Sequence, residues 1–201
     1  MATQQHPHHR RSIRLRNYDY SQAGAYFITI CVQGKRCLLG EVSGTQSVPS
    51  NAGIMVEQWW FELARKFPSI VLDEYVIMPN HFHGILIIDH TPGPMPTPEL
   101  RAKGCRHSRG LGLRGAYRCA GAPSLGHIVD WFKTMSTNGY IRGVKNSGWP
   151  RFHGKFWQRN YYEHIIRDEK DLDQKRRYVL DNPRRWGEDE ENPTNTAKEK
   201  P

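Results

Sequence analysis

The chain has 201 residues, a formal net charge of +9 and a mean hydropathy of -0.73. This length suits a single domain with room for tails or an insertion. The positive charge favours a polyanionic partner, of which nucleic acid is the most common. The longest apolar run, residues 84–88, is far too short to cross a bilayer. We therefore expect a soluble cytoplasmic protein, associated with the nucleoid and without a membrane partner.

Three segments differ in composition from the rest of the chain. Residues 1–17 form a basic arm that predicts phosphate contacts, although a solvated tail has the same composition. Its arginines are Arg10, Arg11, Arg14 and Arg16. Residues 89–123 are rich in proline, glycine and arginine, and we interpret them as a basic insertion. Residues 188–201 are acidic and polar and predict a disordered tail, which leaves residues 18–187 as the domain.

The first half of the domain predicts strands around one helix. Residues 24–32 are β-branched and aromatic, as in a buried strand, and residues 38–42 could be its hairpin partner. Residues 54–67 carry apolar side chains at helical spacing, and Pro68 follows as a helix stop. Residues 70–78 then predict a second strand.

The second half continues the alternation. Residues 81–88 predict a third strand, and Ser124 is a good N-cap for a helix that runs to about residue 142. Two short segments, residues 152–157 and 161–166, resemble strands.

A last helix begins after Asp168, reaches about residue 181 and ends at Pro183. The order is therefore strand, helix, two strands, helix, strand, helix. This order predicts an α+β fold of the ferredoxin-like sandwich type, with an antiparallel sheet, helices on one face and an additional C-terminal helix.

The pair His81 and His83 is the sharpest local signal. Residues i and i+2 of a strand point to the same face, so both imidazoles would project together while Phe82 turns into the core. Two neighbouring imidazoles can supply two ligands of a divalent metal ion. The alternative, two unrelated surface or hydrogen-bonded histidines, remains open on this pattern alone.

Tyr178 and Asn182 form a second signal because residues i and i+4 of a helix share a face. An amide oxygen is a plausible third ligand for a hard ion such as Mg²⁺ or Mn²⁺. Asn182 precedes a proline, which weakens the helical argument at that position. The helix alone favours a half-buried packing role for Tyr178 over a role in the site.

Three segments together resemble the REP-associated tyrosine transposases, which belong to the single-tyrosine His-hydrophobe-His nuclease superfamily. They are HFHGILII at residues 81–88, WQRNYYEHIIRDEKDL at residues 157–172 and YVLDNP at residues 178–183. The resemblance spans roughly residues 18–187, apart from the basic insertion, and it carries the same ferredoxin-like fold with a catalytic C-terminal helix.

The resemblance also implies roles for individual residues. His81, His83 and Asn182 match the positions that bind the divalent metal, Mg²⁺ or Mn²⁺. Tyr178 matches the nucleophile, which would form a 5′-phosphotyrosine link to single-stranded or hairpin DNA at repetitive extragenic palindromes. Tyr161 and Tyr162 compete for that role, but their sequence context is typical of sheet or core residues.

Further basic residues are candidates for phosphate contacts, although each is also compatible with a solvated surface charge. They are Arg159, Lys175 and Arg176. Relatives act as monomers or as homodimers. Two alternatives remain: a catalytically inactive DNA-binding module, and a metal-dependent nucleic-acid hydrolase that uses the same two histidines.

Overall fold

The computed structural model describes residue 15, residues 18–89 and residues 123–196. The four arginines of the arm, Arg10, Arg11, Arg14 and Arg16, lie outside the described residues. So do residues 90–122 of the basic insertion, and predictions about both segments therefore stay predictions. No helix in the described ranges combines the length and the apolar content that a bilayer crossing needs.

A four-stranded antiparallel sheet forms the centre of the domain. Its strands are β1 (Gly24–Cys31), β4 (Ile70–Ile77), β5 (His81–Ile88) and β6 (Tyr162–Ile166). Their spatial order is β4-β5-β1-β6, and every neighbouring pair is antiparallel. β1 and β5, the first and third of these strands along the chain, therefore lie in the middle of the sheet. This arrangement confirms the predicted ferredoxin-like α+β fold.

Helices cover both faces of this sheet. Helices α1 (Asn51–Lys66) and α2 (Leu125–Ser147) cover one face, as the sequence predicted. Helix α3 (Glu169–Asp181), the additional C-terminal helix, packs on the opposite face against a smaller apolar cluster. Ser124 and Asp168 cap α2 and α3 through their side chains, because each accepts a hydrogen bond from a backbone N–H of the first turn.

The larger core lies between the sheet and the first two helices. Phe82, the residue between the two histidines, is fully buried there, and its ring centroid lies 4.8 Å from that of Trp60 and 5.4 Å from that of Phe132. Burying one such aromatic side chain contributes about 1.5–3 kcal/mol. Gly84 leaves room for these rings, since an added Cβ would lie 2.8 Å from Trp60 Cη2. This packing holds β5 in one register.

One predicted strand pairing and one predicted strand were wrong. Residues 38–42 do not pair with β1, because β5 and β6 occupy both of its edges; instead β2 (Gly40–Ser43) pairs with β3 (Gln46–Pro49) in a separate hairpin. Residues 152–157 form only an isolated bridge between Val32 and Trp157. The aromatic residues of this segment, which suggested a strand, pack instead in or against the larger core.

The segment after α3 is more ordered than its composition suggested. A 3-10 helix runs over Pro183–Glu188, and α4 covers Pro193–Thr196. Asn192 is buried, and its side chain donates a hydrogen bond to the carbonyl of Trp186. Residues 188–196 of the expected disordered tail therefore fold back onto the domain near the start of β5.

Candidate functional site

His81 and His83 project from β5 towards the face that α3 covers. In the register of the sheet, His81 lies opposite Cys31 and His83 lies opposite Thr29 of β1. Phe82 points to the other face, into the larger core. The alternation expected of a strand therefore places both imidazoles side by side, and their Nε2 atoms lie 3.0 Å apart.

The second nitrogen of each imidazole has a partner. His81 Nδ1 lies 2.9 Å from Asn80 Oδ1, and the Asn80 amide is oriented by its own Nδ2, which donates to the carbonyls of Lys35 and Glu191. An amide oxygen only accepts hydrogen bonds, so His81 Nδ1 carries the proton and Nε2 keeps its lone pair. His83 Nδ1 lies 2.8 Å from Thr29 Oγ1. Such outer partners set the tautomer and orientation of metal-binding histidines.

Both imidazoles are neutral at neutral pH. Burial lowers the pKa of His81 and His83 because it penalises the charged form. The neighbouring His81 further lowers the pKa of His83, while Asp189 acts in the opposite direction on the pKa of His81. A neutral imidazole is the form that binds a metal ion.

Asn182 supplies an oxygen beside this pair. The residue is only 4% exposed, and its Oδ1 is buried without a hydrogen-bond partner among the described residues. The Asn182 amide lies close enough to His81 to raise the pKa of that imidazole, and close enough to Tyr178 to lower the pKa of that phenol. Its Oδ1 nevertheless makes no well-aligned hydrogen bond within the described part of the chain. A buried oxygen without a partner is costly, and a hard cation would satisfy it. The residue set therefore fits a divalent metal ion.

Asp189 is a further candidate ligand that the sequence did not predict. Its Oδ2 lies 3.8 Å from His81 Nε2, and the ligand atoms of His81, His83 and Asp189 all lie within 4.8 Å of one another. The acidic run at residues 188–191 was the available signal. Its composition predicts a disordered tail, and only the fold of this segment brings the run to the imidazoles.

Tyr178 lies on α3 above the same site. Its side chain is 40% exposed, and its ring centroid lies 5.3 Å from that of His83 and 5.7 Å from that of Phe27. The phenol is therefore next to an imidazole and reachable from solvent. Burial and the charge of Asp189 raise the pKa of Tyr178, and the hydrogen bond from Asn182 partly offsets them.

The two competing tyrosines differ from each other. Tyr161 is buried in the larger core, as expected. Tyr162 lies on β6, as expected of a sheet residue, but it is 53% exposed and therefore does not belong to the core.

His83, Tyr178, Asn182 and Asp189 line one cleft with a volume of about 640 Å³. Its walls come from the sheet, α3 and the folded-back C-terminal segment. The lining includes Phe27, Thr29, Cys31, His83, Gln158, Asn160, Tyr161, Tyr162, Lys175, Tyr178, Asn182, Arg185, Glu188, Asp189, Glu190 and Glu191.

The three basic residues proposed for DNA contacts in this region lie in different surroundings. Lys175 lines the cleft, and its Nζ lies 5.4 Å from the ring centroid of Phe27. Arg176 instead makes a two-pronged ion pair with Asp73 of β4, at 2.9 Å and 2.7 Å. Arg159 is exposed and is not among the residues that line the cleft.

Comparisons with known proteins point to the same fold. No family model matches the chain. An uncharacterized protein of Haemophilus influenzae strain Rd is 40% identical over 188 residues, which cover 91% of this chain and 93% of that protein. The solved structure of a REP-associated tyrosine transposase bound to a REP hairpin is 16% identical, with a TM-score of 0.52, over 85% of this chain and 72% of the other. The resemblance inferred from the sequence is thus confirmed at the level of the fold.

Proposed function

We propose, from the following premise, that the chain is a metal-dependent DNA strand-transferase. It belongs to one family with the uncharacterized Haemophilus influenzae protein, and it has the fold of a REP-associated tyrosine transposase. Its substrate is single-stranded or hairpin DNA at repetitive extragenic palindromes, and Tyr178 is the nucleophile. The proposed metal ligands are His81, His83 and Asn182. The protein acts in the cytoplasm, with nucleoid DNA, as a monomer or a homodimer.

One observation carries the proposal. The exposed phenol of Tyr178 stands 5.3 Å, ring to ring, from His83, whose Nε2 faces the Nε2 of His81 at 3.0 Å. A nucleophile beside a candidate metal centre, inside a cleft open to solvent, is the arrangement that phosphoryl transfer to a tyrosine requires. Neither a packing role for Tyr178 nor a surface role for the histidines explains it.

The chain's own residues would perform the reaction in a simple sequence. Lys175 contacts a phosphate beside the scissile bond, and the fixed imidazoles and Asn182 define where the scissile phosphate rests. The hydroxyl of Tyr178 arrives protonated, because burial raises its pKa. Its oxygen forms a bond to phosphorus as the bond from phosphorus to the 3′ oxygen breaks. The phenol gives up its proton as this bond forms, and the leaving 3′ oxygen takes up one proton and ends as a hydroxyl, so that the step neither gains nor loses a proton overall.

Mg²⁺ or Mn²⁺, when bound by His81, His83 and Asn182, would supply positive charge for a nonbridging oxygen of that phosphate. The phosphotyrosine link keeps the energy of the broken ester. A different 3′ hydroxyl can therefore attack the link and rejoin the strand without a further energy source.

The test is a covalent adduct. The purified full-length protein is incubated with end-labelled palindromic single strands and Mn²⁺ and separated on a denaturing gel. We expect a protein-linked band with the wild type and with Tyr162→Phe, and no such band with Tyr178→Phe or after chelation. An adduct that persists in Tyr178→Phe would disprove the assignment of the nucleophile.

The same gel separates the two alternatives. Free labelled ends without a protein-linked band would identify a hydrolase that uses the same centre. Binding without any cleavage, across the whole panel of strands and with Mn²⁺ present, would identify a DNA-binding module.

A further inference from the structure

Tyr162 belongs to the same row of the sheet as His83. The register pairs Val76 with His83, His83 with Thr29, and Thr29 with Tyr162, so one row crosses all four strands. Side chains of directly paired residues point to the same face of a sheet. Tyr162 therefore projects to the face of the metal ligands, two strands away, which is about 10 Å at the usual strand spacing.

The ring of Tyr162 is held but not buried. It is 53% exposed, and its described contact is an edge-on one with Phe27, at 6.4 Å between centroids and 68° between planes. Phe27 also contacts the rings of Tyr178 and His83. One buried ring thus orients the exposed tyrosine, the proposed nucleophile and a proposed ligand relative to one another. Packing alone does not explain an exposed aromatic side chain on this face.

The surroundings of Tyr162 in the cleft are polar. Gln158 and Asn160, which precede Tyr162 closely in the chain, line the same cleft. The Gln158 N–H donates a hydrogen bond to the Cys31 carbonyl, and the Gln158 carbonyl accepts one from Lys133 Nζ. Side-chain amides both donate and accept hydrogen bonds, as the edge of a nucleobase does. Lys175 also lines the cleft, with its Nζ over the ring of Phe27, and offers a positive charge.

We infer that Tyr162 is the floor of a nucleobase subsite that positions the strand for cleavage. An unpaired base next to the scissile phosphate stacks on the Tyr162 ring, its edge faces the amides of Gln158 and Asn160, and the neighbouring phosphate meets Lys175. This inference rests on the proposed function, since it requires a single strand in this cleft. Tyr162 acts as a positioning residue, and its hydroxyl takes no part in the reaction.

The physical argument concerns the kind of contact. Every base has an aromatic face, and stacking on an exposed side chain is sequence-tolerant. A phosphate-only grip would not require an aromatic ring at the edge of the sheet. An unpaired base, unlike one inside a duplex, can present its face to such a ring. The subsite therefore favours single strands over duplexes.

The experiment compares strands with and without bases. Fluorescence anisotropy is measured in EDTA with the full chain, using labelled oligodeoxythymidylate and an abasic strand of equal length. The wild type should bind the thymidylate strand about tenfold more tightly than the abasic one, since one stacked base contributes on that order. Tyr162→Ala should lose this preference and keep its affinity for the abasic strand, whereas Tyr162→Phe and Tyr162→Trp should keep the preference.

Phe61→Ala is the matched control, because Phe61 is a similarly exposed aromatic residue on α1. It should leave both affinities unchanged. A preference that survives in Tyr162→Ala would overturn the subsite, and so would its loss in Tyr162→Phe, because a ring without the hydroxyl must suffice for stacking.

The proposed function is tested separately. The binding measurement excludes metal and cleavage, so it stands even if no covalent adduct forms. The adduct gel with Mn²⁺ should show wild-type chemistry for Tyr162→Phe and a reduced rate for Tyr162→Ala. An adduct that disappears in Tyr162→Phe would make Tyr162 the nucleophile and would overturn the positioning role.

Discussion

Thr29 and His83 face each other across β1 and β5, and Thr29 Oγ1 lies 2.8 Å from His83 Nδ1. This hydroxyl fixes the imidazole so that its Nε2 points at His81. Removing such an outer partner lowers metal affinity by about 10- to 100-fold. We expect Thr29→Val to weaken Mn²⁺ binding in calorimetry by this amount, and Thr29→Ser to restore most of it. Equal affinity of Thr29→Val and the wild type would contradict the role of this contact.

Asn182 is the proposed third metal ligand, and an experiment can distinguish it from Asp189, another oxygen donor near the imidazoles. Asn182 Oδ1 is buried without a described partner, whereas Asp189 Oδ2 lies 3.8 Å from His81 Nε2. If Asn182 is the ligand, Asn182→Ala should lower Mn²⁺ affinity by more than about tenfold, the lower limit for an outer partner. Asp189→Asn should then have the smaller effect. The opposite ranking of the two variants in Mn²⁺ affinity, measured by electron paramagnetic resonance, would make Asp189 of the C-terminal segment the third ligand.

Arg176 and Lys175 are neighbours on α3 with different expected roles. Arg176 forms the two-pronged ion pair with Asp73, and the Arg176 hydrogen bonds hold the pKa of Asp73 below its usual range. Arg176→Ala should therefore lower the free energy of unfolding by about 1 kcal/mol, a value reduced for the partial exposure of the guanidinium. Because the carboxylate pKa is depressed in the folded state, this contribution exists above about pH 4 and disappears below it.

Lys175→Ala is the matched variant for DNA binding. It should leave the free energy of unfolding nearly unchanged, weaken binding to single strands and reduce the salt slope by about one. Chemical denaturation and anisotropy titrations at several salt concentrations measure both quantities. If Arg176→Ala reduced the salt slope as Lys175→Ala does, that result would support the predicted contact between Arg176 and DNA.

The stability of the metal-free protein should depend on the buried histidines. Burial lowers the pKa of His81 and His83 in the folded state, so the unfolded chain binds more protons below about pH 6.5. Their contribution is complete above that pH and is lost as the pH falls, by up to about 1.4 kcal/mol per pH unit for each histidine. Thermal unfolding in EDTA between pH 7 and pH 5 should show this decline, and it should be shallower in His83→Gln. Equally steep declines in the wild type and in His83→Gln would contradict this contribution of His83 to stability.

The basic arm should account for much of the salt dependence of DNA binding. Acidic side chains slightly outnumber lysines and arginines among the described residues, so the +9 charge arises from the remaining segments. Replacing Arg10, Arg11, Arg14 and Arg16 by glutamine should lower the slope of log affinity against log salt by about three for a single strand. An unchanged slope would identify the arm as a solvated tail. Arg142→Gln on α2 serves as a surface control.

The sequence determined the parts of this protein that depend on local periodicity. Alternation along β5 placed His81 and His83 on one face and Phe82 on the other, because successive side chains of a strand point to opposite sides. The capping side chains of Ser124 and Asp168 marked the starts of α2 and α3, because they satisfy N–H groups that the helix leaves free.

Only the tertiary structure decided which distant segments meet. The ordered C-terminal segment brings Asp189 to His81, the packing of α3 on the sheet pairs Arg176 with Asp73 of β4, and the place of β6 at the edge of the sheet leaves Tyr162 exposed. None of these relationships has a local periodicity. Each depends on which residues far apart in sequence become neighbours. That is decided only when the sheet, α3 and the C-terminal segment pack around the cleft.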